Sequence, residues 1–300
     1  MKILIFLLNV FVLTTASASD FPDIPFELKF FGINSDSGIH GPRYAQIVEE
    51  LKDLGKTYEN FAQVITYGKS VGGKPLTLIK ISDKSSTRKI PAIYIGGSIH
   101  GDEYLNIEDR LPRWFLEQTA SNGTISNYLK RGGVIYVAPI LNPDGYDKRA
   151  RANNKGIDLN RDYTVLMAQT VGFTQPETST LIKFLKEDLE NDKRKLEVAM
   201  DYHCCIGALL YPWSFTGPVL QETDMKRHTT IADIMQAALG RDMKHGQTPV
   251  ILGYSAKGTS KDFYFEEFGA RGFTYEGRRG QEDKFFDEHT VMWTNIIQSI

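Results

Sequence analysis

Two side chains able to bind a metal stand three residues apart in the segment GGSIHGDEYLN, residues 96–106. His100 and Glu103 follow the apolar run PAIYI, which is typical of a buried strand. Histidine nitrogen and carboxylate oxygen are both ligands of Zn²⁺, and a catalytic zinc site uses three protein ligands plus an open position for water. An isolated pair with this spacing more often belongs to an ordinary surface loop. The pair therefore indicates a metal site only if a third ligand comes from a neighbouring strand.

The candidate for the third ligand is His203, at the end of the apolar run LEVAMDYH. Open α/β sheets place their active sites at the carboxyl ends of strands, where both polar clusters fall. The chain has six histidines. The other four stand in polar or loop-like surroundings, and we expect them at the surface: His40, His228, His245 and His289.

A metal site that activates water also needs a general base and groups that hold the substrate. Glu276 ends the late strand-like segment GFTYE, a position that suits a base. The segment 141–163, LNPDGYDKRARANNKGIDLNRDY, concentrates arginines and asparagines after a turn at 142–145. Taken alone, an arginine-rich loop of this kind is usually just solvated.

The elements that must position these residues alternate between strand and helix. Apolar spacing predicts helices at 43–61, 104–119 and 177–196, the second interrupted or kinked at Pro112. Apolar runs bounded by Gly, Lys and Pro predict strands at 76–82, 91–97, 133–140, 196–203 and 272–276. This alternation predicts an α/β sheet with helices on both faces.

The first 18 residues have the pattern of a secretory signal peptide. Lys2 precedes an apolar run from Ile3 to Leu13, and a small-residue cleavage site follows at 16–18. The run is shorter than the roughly 20 residues that span a bilayer, which argues against an anchoring helix. We therefore expect a signal peptide at 1–18 and a mature chain from residue 19. The product is expected to be exported, periplasmic or secreted, with no membrane span after signal removal.

The net charge and the cysteine content narrow the possible classes of protein further. A net charge of −2 argues against a nucleic-acid partner, because such proteins usually carry a basic stripe. The two cysteines are neighbours, Cys204 and Cys205, so a disulfide framework is not expected. We interpret them either as small buried apolar residues, which we favour, or as a vicinal disulfide.

Several of these segments together resemble the zinc metallocarboxypeptidases of the carboxypeptidase A/B family. The matching segments are GSIHGDE, NPDGY, RANNKGIDLNRDY, YHCCIGALLYPW and FTYE, in the family's order between residues 97 and 276. The resemblance implies one catalytic domain at 19–300, with a mixed, mostly parallel twisted β-sheet and helices on both faces. No recognisable pro-segment precedes it, and the compact form is more similar to bacterial members.

The resemblance also implies a function for the metal-site candidates. His100, Glu103 and His203 correspond to the ligands of one Zn²⁺ per chain, the two-His-one-Glu set of carboxypeptidase A. Asp158 corresponds to an aspartate that orients the first histidine. Glu276 corresponds to the catalytic glutamate, which acts with zinc to activate water.

The same resemblance implies the residues that hold the substrate. Arg151 corresponds to the arginine that faces the scissile carbonyl, with Arg149 as a weaker rival because the preceding loop is shorter than in digestive members. Asn160 and Arg161 correspond to the pair that binds the terminal carboxylate, which a guanidinium fork suits. Tyr254 corresponds to a mobile tyrosine that closes over bound substrate.

The expected reaction is hydrolysis of the C-terminal peptide bond of a peptide with a free carboxylate. Lys261, just before the aspartate of SKD, corresponds to the floor of the side-chain pocket, where an ammonium selects acidic side chains. The alternative is a shifted loop with Lys261 in solvent. A second candidate function is periplasmic hydrolysis of muropeptides, whose diaminopimelate carries an extra side-chain carboxylate. A third, from another class, is an inactive peptide-binding member, but the three ligand positions and Glu276 are unaltered.

Overall fold

One mixed sheet runs through the computed structural model, which describes residues 36–215, 220–240, 242–278 and 285–300. Its strands are β1 (Ala62–Lys69), β2 (Pro75–Ser82), β3 (Ala92–Gly96), β4 (Val134–Ala138), β5 (Leu196–Cys204), β6 (Ala208–Tyr211), β7 (Lys244–Gln247) and β8 (Arg271–Gly277). Their order is β1-β2-β4-β3-β5-β8-β6-β7. The neighbours β4–β3, β3–β5, β5–β8 and β6–β7 are parallel and the other three pairs antiparallel. The expected mixed, mostly parallel sheet is confirmed, whereas the expected signal peptide lies outside the described residues.

Helices cover both faces of this sheet, as expected. Those in the described ranges are α1 (Tyr44–Thr57), α2 (Leu111–Glu117), α3 (Thr124–Lys130), α4 (Pro143–Lys148), α5 (Pro176–Asn191), α6 (Glu222–Leu239), α7 (Thr248–Leu252), α8 (Ser260–Phe268) and α9 (Phe286–Gln298). Tyr136 of β4 donates to Asp188 of α5 on one face. Tyr202 of β5 lies 3.0 Å from His289 Nδ1 of α9 on the other. Within the described ranges, every helix is too short or too polar to span a bilayer.

The two central strands that lead to the candidate ligands are β3 and β5. All five residues of β3 and of β4 are buried, which is why both read as continuous apolar runs, as fully covered parallel strands do. From β3 the chain moves to β4 on one side, and it then returns to β5 on the other. The carboxyl ends of β3 and β5 therefore flank a topological switch point, where open α/β sheets form a crevice.

Some element boundaries differ from the sequence-based expectation. The helix predicted at 104–119 begins only at Leu111, so Pro112 lies in its first turn and causes no kink. Proline is tolerated there because its missing N–H would have no partner within the helix. The helix predicted at 43–61 ends at Thr57. The turn predicted at 142–145 instead starts α4, with the Asn142 side chain accepting from Gly145 N–H at 2.9 Å.

Two histidines expected at the surface are in fact buried. His228 of α6 packs against Phe265 and Phe273, with ring centroids 5.2 and 5.6 Å away, and His289 of α9 is fully buried. Burial lowers the pKa of His228 to about 4 and that of His289 to about 3. Both imidazoles are therefore neutral parts of the core at neutral pH.

His228 should make the fold sensitive to acid. Its pKa falls from 6.5 to about 4 on folding, so the unfolded chain binds the proton more tightly and stability is lost as pH drops from 6.5 towards 4. At about 1.4 kcal/mol per pH unit, this amounts to about 3 kcal/mol. We expect His228→Phe to lack this loss relative to the wild type when urea unfolding is followed from pH 7 to 4. His40→Phe, at an exposed imidazole, is the control. Equal pH slopes for the wild type and His228→Phe would contradict the assignment.

Candidate metal centre and active site

The loop after β3 carries the first two candidate ligands. A turn in which Glu103 N–H donates to His100 O at 3.1 Å brings their side chains to the same side. Gly101, between them, packs so closely on α4 that an added Cβ atom would overlap the backbone carbon of Gly145. Its N–H donates to the carbonyl of Arg151 at 3.4 Å. The loop is thus held against the segment that supplies Arg151.

Three donor atoms converge at the end of this crevice. Glu103 Oε2 lies 2.9 Å from His100 Nδ1 and 2.8 Å from His203 Nδ1, and the two nitrogens are 3.1 Å apart. All three side chains are at most 3% exposed. Ligands bound tetrahedrally to zinc at roughly 2.0–2.1 Å stand about 3.3 Å from one another. The triangle is close to the size that Zn²⁺ requires, and it is the cluster expected from the sequence.

The charges of the three candidate ligands also favour binding of a cation. Burial opposes protonation of His100, but Glu103 and Asp158 outweigh it and raise the pKa of His100 to about 9. Burial likewise opposes ionisation of Glu103, yet the neighbouring His100 and His203 hold its pKa well below the ordinary value. A buried carboxylate of this kind demands a positive partner, and a bound metal replaces the proton in that role.

Asp158 fixes which ring nitrogen of His100 faces the cluster. Its Oδ1 lies 2.9 Å from His100 Nε2, so in the neutral ring Nε2–H donates to the carboxylate and the Nδ1 lone pair points at the other ligands. His100 and Arg151 together hold the pKa of Asp158 well below its usual range despite burial. This is the geometry that the resemblance implies for Asp158.

Arg151 bridges the carboxylates of Glu103 and Asp158. Its Nε and Nη2 donate to Asp158 Oδ2 at 3.1 and 3.0 Å, and Nη1 donates to Glu103 Oε1 at 2.9 Å. Arg149 instead donates to Asp36 at 2.8 Å and contacts His40, away from the ligands. Of the two arginines considered from the sequence, Arg151 is the one beside the cluster.

Glu276 stands next to His203 because of strand register. In the parallel pair β5–β8 the two residues are direct partners, so their side chains share a face of the sheet. Burial raises the pKa of Glu276, although His203 opposes the shift. Its Oε2 is buried and has no hydrogen-bond partner within the described ranges. The structure therefore places a carboxylate oxygen without a hydrogen-bond partner beside the metal ligands.

The two candidate carboxylate-binding residues follow Asp158 directly. They lie in a single 3-10 turn at Leu159–Arg161, in which Asn160 N–H donates to Asp158 Oδ1 at 2.9 Å. Asn160 Oδ1 accepts from Ser260 N–H at 3.0 Å, and Arg161 Nη1 donates to Asn160 O at 2.8 Å. The contact between Asn160 and Asp158 fixes this turn to the residue that orients His100.

Tyr254 and Lys261 complete the expected set. Tyr254 is half-buried, and burial and then the charge of Glu276 raise its pKa. Lys261, in the first turn of α8, is only 2% exposed, so the alternative in which it points to solvent is wrong. Burial lowers the pKa of Lys261, and Asp262 and Glu276 oppose that shift. Both side chains thus lie within electrostatic range of Glu276.

Near the metal centre, the sequence analysis misinterpreted one feature and missed another. Cys204 and Cys205 form a vicinal disulfide, so the favoured interpretation as free apolar residues was wrong. Cys204 N–H also donates to Glu103 Oε2 at 3.3 Å. Asp201, fully buried two residues before His203, was not singled out. The signal was available, because a lone acid inside the apolar run LEVAMDYH is unusual.

Comparison with known proteins agrees with this geometry. A family model described as zinc carboxypeptidase matches residues 47–295. The chain therefore belongs to the zinc carboxypeptidase family, which confirms the resemblance seen in the sequence.

The individual relatives share only low sequence identity with this chain. Carboxypeptidase SOL1 of Arabidopsis thaliana is 31% identical over 143 residues, which cover 46% of this chain and 29% of that protein. Carboxypeptidase B of Helicoverpa zea is 24% identical over 270 residues, covering 77% of this chain and 61% of that protein. The chain thus spans less than two thirds of either relative. The crystal structure of carboxypeptidase A from Helicoverpa armigera shares the fold, with a TM-score of 0.71, 18% identity and coverage of 90% and 76%.

Asp158 should support metal binding without touching the metal. We expect Asp158→Asn to weaken zinc affinity about 10- to 100-fold, because His100 and Arg151 lose the carboxylate that orients them. Competition with a chromogenic chelator measures the affinity. Asp192→Asn is a matched control, since Asp192 pairs with Lys80 and Lys89 on the surface. Unchanged affinity in Asp158→Asn would contradict the expected role.

Proposed function

We propose that this chain is a zinc-dependent exopeptidase that hydrolyses the C-terminal peptide bond of peptides. The observation that carries the proposal is the buried triangle of His100, Glu103 and His203, beside which Glu276 holds a buried Oε2 that has no hydrogen-bond partner within the described ranges. A purely structural metal site would have four closed protein ligands and no need for a neighbouring free acid.

Glu276 moves the proton in this proposal. When bound, Zn²⁺ lowers the pKa of a water molecule towards 7 and polarises the carbonyl oxygen. Glu276 accepts a proton as the water oxygen bonds to the carbonyl carbon, and it passes that proton to the departing amine when the C–N bond breaks. Burial raises the pKa of Glu276, which makes its carboxylate a stronger proton acceptor than an ordinary glutamate.

Arg151 stabilises the negative charge that develops on the carbonyl oxygen. Asp158 and Glu103 already anchor its guanidinium, so little reorganisation is needed when the charge appears. Loss of one such preorganised donor typically costs about 2.7–4 kcal/mol of transition-state stabilisation.

Asn160 and Arg161 bind the terminal carboxylate of the substrate. A guanidinium fork suits a planar carboxylate through two parallel hydrogen bonds, and the contacts of Asn160 with Asp158 and His203 keep the 3-10 turn near the ligands. Tyr254 closes over the bound peptide. Binding at this carboxylate sets which peptide bond reaches Glu276, so the enzyme acts at the chain end.

Lys261 gives the site a preference for acidic C-terminal side chains. Its ammonium is buried near Glu276, and a buried ammonium favours a ligand that brings a carboxylate. Muropeptides, with the extra carboxylate of diaminopimelate, are substrates of the same chemistry. We also propose export, because residues 1–18 have the pattern of a signal peptide.

Glu276→Gln should retain zinc but lose turnover. The amide keeps the shape of the side chain but cannot accept the proton, so kcat should fall by about 10²- to 10⁴-fold. The measurement is release of the C-terminal residue, followed by mass spectrometry, alongside zinc content. A C-terminally amidated peptide and a chelator-treated sample serve as controls and should show no release. If Glu276→Gln hydrolyses peptides normally, Glu276 is not the base. If the zinc-loaded wild type only binds peptides, the inactive-member alternative replaces the proposal.

Lys261→Met should remove the preference for an acidic residue. On peptides ending in Glu, Phe and Lys, we expect the wild-type kcat/KM to be at least about tenfold higher for Glu than for Lys, since one unpaired charge is worth a kcal/mol or more. The variant should lose this advantage. Lys257→Met, at an exposed lysine of the same segment, is the matched control. Equal wild-type rates on all three peptides would discard the preference.

A further inference from the structure

Basic side chains concentrate at the edge of the sheet opposite the candidate active site. Three basic segments, 84–89, 130–131 and 193–195, shortly precede the parallel strands β3, β4 and β5 and so lie at their amino ends. β5 has nine residues from Leu196 to Cys204. At about 3.3 Å per residue, His203 lies roughly 23 Å from the start of this strand. These bases are therefore far from the metal centre and take no part in the site described above.

Direct contacts hold the three segments side by side. Gly132, just after the second segment, packs so closely on the first that an added Cβ atom would overlap the carbonyl oxygen of Arg88. From the third segment, the Arg194 guanidinium donates to the carbonyl of Ile90 at 2.8 Å and to that of Gly132. Arg194 thus connects the chain that follows each of the other two segments, and the bases form one continuous surface.

This surface carries a large excess of positive charge. Eight bases, which we call the amino-edge cluster, occupy the three segments: Lys84, Arg88, Lys89, Lys130, Arg131, Lys193, Arg194 and Lys195. All of them except Arg194 are exposed. The acids in the flanking sequence are only three, Asp83, Glu190 and Asp192. Within the described ranges, the ion pairs of the cluster engage only Lys89 and Arg194, both with Asp192. The other six bases have no acidic partner there.

Helix ends account for only part of this charge. α3 ends at Lys130 and α5 at Asn191, and bases near a helix C-terminus offset its partial negative charge. Each helix end is equivalent to roughly half a charge, so the two ends together offset about one base. The segment 84–89 follows no helix, because it lies between β2 and β3. The remaining excess, which the net charge of −2 for the whole chain conceals, indicates an anionic partner.

The composition of the cluster fits an anionic lipid surface. Its three segments lead into adjacent strands spaced about 4.8 Å apart, so the bases spread across the sheet edge. The segments contain no aromatic residue on which a nucleobase could stack. They also contain no exposed large apolar residue of the kind that inserts between acyl chains. Contact through charge alone is how polybasic clusters bind the headgroups of anionic lipids.

We propose that the amino-edge cluster holds this protein on a membrane surface rich in anionic phospholipids. The lysine and arginine side chains contact the headgroup phosphates, and the contact requires no insertion into the acyl region. The carboxyl edge of the sheet then points away from the membrane, so the metal centre stays open to soluble peptides. This inference goes beyond the proposed exopeptidase function and does not depend on it.

Flotation with lipid vesicles tests the proposal on the zinc-loaded protein. At low salt, we expect at least about tenfold stronger binding to vesicles of phosphatidylcholine with phosphatidylglycerol than to phosphatidylcholine alone, because only the first carry a negative surface. Raising NaCl from about 0.05 to 0.5 M should weaken that binding at least about tenfold, because salt screens exposed charges. Equal binding to both kinds of vesicle would overturn the proposal.

A double variant locates the contact. Arg131→Gln combined with Lys195→Gln should weaken vesicle binding about 25-fold, since each base near an anionic surface contributes roughly fivefold. The matched control combines Lys155→Gln with Lys183→Gln, which changes the net charge equally at exposed lysines outside the cluster. The control should bind like the wild type, and circular dichroism checks that both variants fold. If the two double variants bind equally, the cluster is not the contact and the proposal fails.

Two further measurements test the partner and the orientation. Tight binding to soluble inorganic polyphosphate or duplex RNA without binding to the anionic vesicles would overturn the lipid assignment. Hydrolysis of a soluble peptide should be unchanged when the wild type is bound to vesicles, and a loss of turnover on binding would contradict the proposed orientation. If the zinc-loaded protein hydrolyses no peptide at all, the exopeptidase function fails, whereas vesicle binding still decides this inference.

Discussion

The metal centre depends on two neighbouring carboxylates, Glu103 and Asp158, that are largely shielded from water. Glu103 is buried between two imidazoles, and Asp158 holds the far side of one of them. Arg151 supplies one positive charge to both carboxylates. A buried carboxylate is stable only beside a cation, so this arrangement suits a bound metal ion that takes the place of the proton on His100. The closely packed loop at Gly101 keeps the ligands from moving apart.

The register of β5 and β8 determines which side chains lie together at the site. One rung of the β5–β8 ladder carries His203 and Glu276, and the rung below carries Asp201 with Thr274. His203, Glu276, Asp201 and Thr274 therefore share one face of the sheet, because side chains alternate along each strand. A shift of one residue in this pairing would turn the two side chains of one strand to the opposite face and separate His203 from Glu276.

The interpretations that failed have a common cause. His228 and His289 occur among polar neighbours in sequence, but helix packing places both rings against aromatic side chains, where they are neutral. Pro112 follows a polar, turn-forming stretch and starts its helix instead of interrupting it. The pairing state of two adjacent cysteines depends on local backbone geometry, which residue types do not specify. In each case the neighbours in space, not those in sequence, determine the outcome.

By itself, the sequence determined the kinds of ligand, their order along the chain and their position at strand ends, because buried parallel strands and short zinc-binding motifs leave strong local patterns. Sheet order, by contrast, depends on contacts between distant segments. Only the tertiary structure decided that Arg151 and not Arg149 faces the ligands, that Lys261 is buried, and that Asp201 is buried on the same face of the sheet as Glu276. These are properties of a side chain's surroundings, and the surroundings form only when segments that are distant in the sequence pack together.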